Sequence, residues 1–257
     1  MIKYLFIFSI FLLFQGCSLY KVFITPQNLI QLKEDKRIYY EHKAKDKALY
    51  IQTILDKQIL HIENKQYLPL TKQPKIYIFA KQTTFEKYAV NQKAGGETQG
   101  DKRILISPKK QNSIKRLKGL LTHELSHFHL YSYVGLIDGY FLPTWFTEGL
   151  AVFVSNGIGG EKVSTNQAIE AINQKRFFYI EKKNSKPSYM NPHMFYKQSE
   201  LFIKYLYNKD KEKFKQFLIK VLKKENFNTS FKTIYTESIT NYSKKFKKHI
   251  KDNYGSM

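Results

Sequence analysis

Two short runs of β-branched and aromatic residues stand out from a chain otherwise patterned for helices. Lys75-Ile76-Tyr77-Ile78-Phe79-Ala80 predicts a strand, and Arg103-Ile104-Leu105-Ile106-Ser107 predicts a second, stopped by Pro108. Between Lys45 and Lys65, Leu49, Ile54, Leu55, Ile59 and Ile62 recur at helical spacing. A weaker stripe from Asn28 to Lys43 (Leu29, Leu32, Ile38, Tyr39) also reads as helix, with Pro26 before it. Thr84 to Val90 predicts a short helix, and Ser113 can cap a longer one whose apolar face carries Leu117, Leu125 and Phe128. A loop is expected from Tyr133 to Pro143, then a helix ending near Asn156-Gly157 and a glycine-rich loop to Gly160. Residues 167–180 read as helical or partly extended. Helices follow over Phe195–Tyr207 and Lys211–Lys224, with a last helical segment over 228–250. Short strands followed by many helices give an α+β class.

The amino terminus follows a different rule. Lys3 precedes a short apolar run, Tyr4 to Phe14, which is too brief to span a bilayer comfortably and reads as a cleaved export signal over residues 1–16. Phe14-Gln15-Gly16-Cys17 resembles a bacterial lipobox and places the chain's single cysteine at the lipidated position. Lipid on Cys17 would anchor the protein to the cell envelope and leave no disulfide, so packing must supply its stability. Ser18 lacks the acidic character that would signal inner-membrane retention, which favours the outer membrane or cell surface. About 240 residues remain, enough for one substantial core.

Lysine and arginine number 43 against 21 acidic residues, a formal charge of +22. That field favours anionic partners such as lipid head groups or acidic polymers. The lysines are spread along a chain also rich in Ile, Asn, Tyr and Phe, so nucleotide bias accounts for most of the excess. No compact basic motif with a nucleic-acid fold signature is present, and nucleic acid is not an expected partner.

The chemistry is concentrated in His123-Glu124-Leu125-Ser126-His127. Imidazoles four residues apart on a helix share one face and can reach a single metal. A catalytic zinc takes three protein ligands and keeps an open position for water. Glu124, next to the first histidine, is placed to take a proton from that water. Trp145-Phe146-Thr147-Glu148-Gly149-Leu150-Ala151 then offers Glu148 as third ligand. The two histidines and Glu124 also interrupt an apolar helix face, where unbound polar groups are costly.

Thr122-His123-Glu124-Leu125-Ser126-His127 with Pro143-Thr144-Trp145-Phe146-Thr147-Glu148-Gly149-Leu150-Ala151 resembles the peptidase MA-like domain, a gluzincin group related to the thermolysin fold. The likeness extends to the strand Arg103–Ser107 and to Phe195–Phe202, covering roughly residues 72–250. It implies a thermolysin-like or minigluzincin zincin fold, one zinc ion and peptide-bond hydrolysis. His123, His127 and Glu148 would be the ligands and Glu124 the general base. It also suggests Tyr196, on the following helix, as a donor to the developing oxyanion, with His193 a lesser candidate. The implied organisation is a leader at 1–16, a tether and N-terminal helical region at 17–71, and a zinc metallopeptidase domain at 72–257. The partners expected are a peptide or protein substrate, and the membrane through lipidated Cys17, for a monomer.

Two departures from the family pattern carry consequences. Thermolysin-like enzymes often place an aspartate four residues after the third ligand to orient a histidine. Val152 stands there, so another group, such as a backbone carbonyl, must hold the ring. Gly95-Gly96-Glu97-Thr98 only faintly echoes the aminopeptidase signature, and aminopeptidase action is not expected. Asp138 rivals Glu148 as third ligand, although Asp138-Gly139 is more simply a turn pair. His129 lies about 200° around the helix from His127 and should pack or meet solvent. Ile104 and Ile106 would either flank a strand edge that pairs with substrate or belong to an ordinary buried strand. Two other functions fit the motif: hydrolysis of a peptidoglycan stem peptide, and a non-catalytic envelope lipoprotein that keeps the fold.

Overall fold

The computed structural model describes residues 20–110 and 113–254; the leader and Cys17 lie outside them. Two short strands, β1 (Ile30–Gln31) and β2 (Ile38–Tyr40), precede the long helix α1 (Lys45–Gln66). Then come β3 (Lys75–Ile78), α2 (Gln82–Tyr88), β4 (Gly96–Gln99) and β5 (Arg103–Ile106). Seven α-helices follow among the described residues: α3 (Ile114–Phe141), α4 (Thr144–Val154), α5 (Thr165–Asn173), α6 (Pro192–Lys209), α7 (Lys211–Leu222), α8 (Phe227–Tyr235) and α9 (Ile239–Tyr254). The expected α+β class holds, with a five-stranded mixed sheet packed on helices and a helical second half. No helix among the described residues is long and apolar enough to cross a membrane.

The sheet runs β1-β2-β3-β5-β4. Its three central strands are parallel, and β1 and β4 are antiparallel edges. Alternation divides its side chains between two cores. Ile38, Tyr40, Ile76, Ile78, Ile104 and Ile106 face the main core with residues of α1 and α3, whereas Tyr77, Phe79 and Leu105 meet Phe85 and Ala89 around α2. Covering both faces explains why β3 and β5 are almost uniformly apolar.

Two expectations are corrected here. The stripe at Asn28–Lys43 is not a helix. Ile38-Tyr39-Tyr40 is a strand whose alternate residues enter opposite cores, with Tyr39 stacked on Tyr77 at 4.8 Å. Pairing with β3 through the register Ile38↔Ile76 decides it, and that partner is far away in sequence. Nor is Tyr133–Pro143 a loop. α3 continues to Phe141 through a kink at Gly135, whose φ of 79° is left-handed territory that glycine adopts readily.

Ile104 and Ile106 sit on β5, fully buried between β3 and β4, so neither flanks an open edge. The outer strand on that side is β4. Residues 228–250 form two helices, α8 and α9, separated at Thr236 with its φ of 63°. Asn191 and Pro192 begin α6, with Asn191 capping it through His193 N–H. Ser113 caps α3 by accepting from Arg116 N–H at 3.2 Å, as its sequence position suggests.

The start of α4 is fixed by Trp145, which is fully buried. Rings of Phe146, Phe178, Phe202 and Phe227 surround it at centroid distances of 5.1–5.9 Å. Losing an aromatic from such a cluster costs about 3–5 kcal/mol. Three residues on from this anchor, Glu148 inherits a well-defined position.

Candidate metal centre

α3 carries His123 and His127 one turn apart, and their Nε2 atoms are 3.3 Å from each other. From the neighbouring helix α4, Glu148 Oε2 lies 3.5 Å from His123 Nε2 and 3.6 Å from His127 Nε2. Two ligands of a tetrahedral zinc, each bound at roughly 2.0–2.1 Å, stand about 3.3–3.4 Å apart. A point equidistant from these three atoms lies about 2 Å from each. Two imidazole nitrogens and a carboxylate oxygen therefore converge as a ligand set suited to one divalent ion.

Both rings are nearly buried, while Glu148 keeps about a quarter of its side chain open. His123 Nδ1 lies 3.1 Å from the carbonyl oxygen of Ile158. Donation to that acceptor puts the proton on Nδ1 and leaves Nε2 free to bind metal. Ile158 thus does what an aspartate at Val152 would have done. Its loop is held in turn by Glu161, which accepts from Gly159 N–H at 2.6 Å and pairs with Arg116 at 2.5 Å.

The electrostatics couple the three side chains closely. Burial alone would raise the Glu148 carboxyl pKa, but the two imidazoles win and hold it far below the usual range. Burial would lower that of His127, and the charge and hydrogen bond of Glu148 outweigh it, raising the ring. Glu124 goes the other way. Its deep burial raises the carboxyl despite the opposing pull of both histidines and a hydrogen bond from Thr98.

In the sequence, Gly96 and Thr98 belonged only to a faint echo of the aminopeptidase signature and were given no part in the site. They sit on β4, which crosses α3 beside Glu124. The Thr98 hydroxyl lies 2.8 Å from Glu124 Oε2 and 2.9 Å from its carbonyl oxygen. A Cβ at Gly96 would stand 2.9 Å from both Glu124 Cγ and Oε1, so only glycine leaves room for the carboxylate. No apolar alternation marks Gly96-Glu97-Thr98-Gln99 as a strand, so nothing local pointed to it.

No protein-family model matches this chain, and no curated protein matches it. The geometry of the site therefore carries the functional argument.

A cavity of about 270 Å³ opens beside His123 and Glu124, bounded by Gly96, Arg116, His193 and Tyr196. The Tyr196 ring is 6.4 Å from that of His123, and the negative charge of Glu148, then burial, raises its phenol far above the ordinary value. His193 reaches the carbonyl of Gly159 through Nδ1 at 2.5 Å. The rival ligand Asp138 is exposed, pairs with Lys224 at 3.7 Å and takes no part in the cluster. His129 packs out of sight, with Nε2 at 2.8 Å from the Leu68 carbonyl oxygen.

Proposed function

We propose that this protein is a zinc-dependent peptidase of the zincin type, exported and held on the cell envelope by lipid at Cys17. The carrying observation is the near-equilateral triangle of His123 Nε2, His127 Nε2 and Glu148 Oε2. A zinc ion bound there supplies Lewis acidity, lowering the pKa of water and polarising a carbonyl.

The rest falls to the chain's own residues. Glu124 Oε2 is engaged by Thr98, leaving Oε1 to accept a proton from the attacking water. Its raised pKa suits it to hold that proton and then deliver it to the leaving amine nitrogen. Tyr196, whose phenol stays protonated, is placed at the cavity to donate to the developing oxyanion. β4 is an outer strand beside Glu124, and an extended peptide can add to such an edge. This edge takes over the part that Ile104 and Ile106 were candidates for.

Metal analysis of the purified protein, paired with Glu124→Gln, tests the proposal. The parent should contain about one zinc per chain and cleave an unfolded protein. The variant should keep its zinc and lose turnover. A chain that binds no zinc defeats the reading. So does a variant that cleaves like the parent.

A further inference from the structure

We propose that the kinked end of α3, together with the segment beginning at Tyr20, forms a second, non-covalent contact with an anionic lipid bilayer. Beyond Gly135, α3 turns its apolar residues outward: Ile137 is 74% exposed, Tyr140 63% and Phe141 67%. On the N-terminal segment Phe23 is 70% exposed. One turn joins these two groups. Between β4 and β5, Lys102 Nζ lies 4.4 Å from the Phe23 ring centroid. Two residues earlier Gly100 faces Leu136, with 3.3 Å between its Cβ position and Leu136 Cδ1.

Lysines edge the same surface. Lys183 Nζ sits over Tyr140, and Lys182 Nζ lies 4.2 Å from the Tyr179 ring. Neither these nor Lys102 forms an ion pair with a carboxylate among the described residues. Of the acidic groups nearby, Asp138 is matched by Lys224 and Asp101 by Lys72, while Glu181 accepts a hydrogen bond from the Thr240 hydroxyl. Aromatic and aliphatic side chains with lysines along their margin are what a head-group layer receives: rings enter the interface, and ammonium groups meet phosphate. A negatively charged lipid surface is favoured over a protein partner for a second reason. Tyr20 follows Cys17 by three residues, which reach at most about 11 Å. If Cys17 is lipidated as proposed above, Phe23 and its neighbours are held close to the bilayer. His127 lies eight residues, about 12 Å along the helix, from Gly135.

The test uses the chain from Ser18 onward, which lacks the lipidated cysteine but contains every strand and helix of the fold. Flotation with vesicles of phosphatidylethanolamine and phosphatidylglycerol is compared with flotation on phosphatidylcholine alone. The parent should bind the anionic vesicles. Ile137→Ser with Phe141→Ser, and separately Lys182→Glu with Lys183→Glu, should each weaken binding at least about tenfold. Circular dichroism and zinc content should not change, which separates the result from any failure of the peptidase reading. Parent protein that floats with neither vesicle overturns the proposal, as do variants that bind like the parent. A solution dimer that the apolar variant breaks, without vesicle binding, also overturns it and makes the patch a self-association face.

Discussion

The hydroxyl of Thr98, on an edge strand, meets Oε2 of Glu124, on the metal-site helix, at 2.8 Å. The bond ties an edge strand to the helix it packs against and favours the charged form of a buried carboxyl. Thr98→Val keeps the shape and removes the bond. Turnover should fall at least about tenfold, the lower edge of what a hydrogen bond to a charged group contributes. Zinc affinity should stay put. The acidic limb of the pH–rate profile should move to higher pH, because losing the bond raises the Glu124 pKa further. Thr98→Ser should restore both. If both substitutions leave the profile in place, Thr98 does not position the base.

Gly96→Ala probes the same carboxylate from the other side. A methyl group 2.9 Å from Oε1 must displace the Glu124 side chain from its present position. Turnover should drop at least as far as in Thr98→Val, with the zinc content of purified protein intact. Equal loss of metal and activity would mean that the helix itself had moved.

Metal uptake should depend on pH in one direction. Without metal, Glu148 keeps His127 protonated to above its ordinary value, and zinc must displace that proton. Apparent zinc affinity should therefore weaken as pH falls through the raised His127 pKa, about tenfold per pH unit for each proton displaced. Glu148→Gln should lower affinity overall and shift this dependence to lower pH, since the ring loses the charge that raises it. Competition titrations with a chromophoric chelator across pH measure both effects.

Arg116 and Glu161 support the loop whose Ile158 carbonyl holds His123. Arg116→Met should loosen that loop and reduce zinc affinity about tenfold, the lower end of what outer ligand supports are worth. The same chelator competition reports it. An unchanged affinity would show that the backbone alone holds Ile158 in place.

Gly149, beside Glu148, is where α4 meets α6. A Cβ there would stand 2.7 Å from the Ser199 carbonyl oxygen. Gly149→Ala should destabilise the metal-free protein by about 1–3 kcal/mol, as overpacking does, and lower its zinc affinity. Thermal unfolding with and without zinc separates the two effects.

The candidate metal site was legible because its main signal is local. Four residues on a helix bring His123 and His127 together in any fold that keeps the helix. Glu148 was legible through its motif, but its distance to the rings was not. Pro143, the Trp145 cluster and the Gly149 contact set that distance. The misread elements share one cause. Ile38–Tyr40 is too short for periodicity to separate strand from helix, and only its pairing with β3 chooses. The end of α3 held turn-like residues at Gly135, Asp138 and Gly139, yet the helix absorbs them with one kink.

The sequence alone determined which residues carry charge, metal-binding nitrogen and proton-accepting oxygen, because those properties belong to side chains and to short helical spacings. Tertiary structure decided which strand lies against Glu124, which backbone carbonyl steadies His123, and which apolar residues stay uncovered. Each of these is a contact between segments distant in sequence. A hydroxyl on β4 or the carbonyl of Ile158 has no local pattern that announces its partner, and only the packing of the whole chain brings the two together.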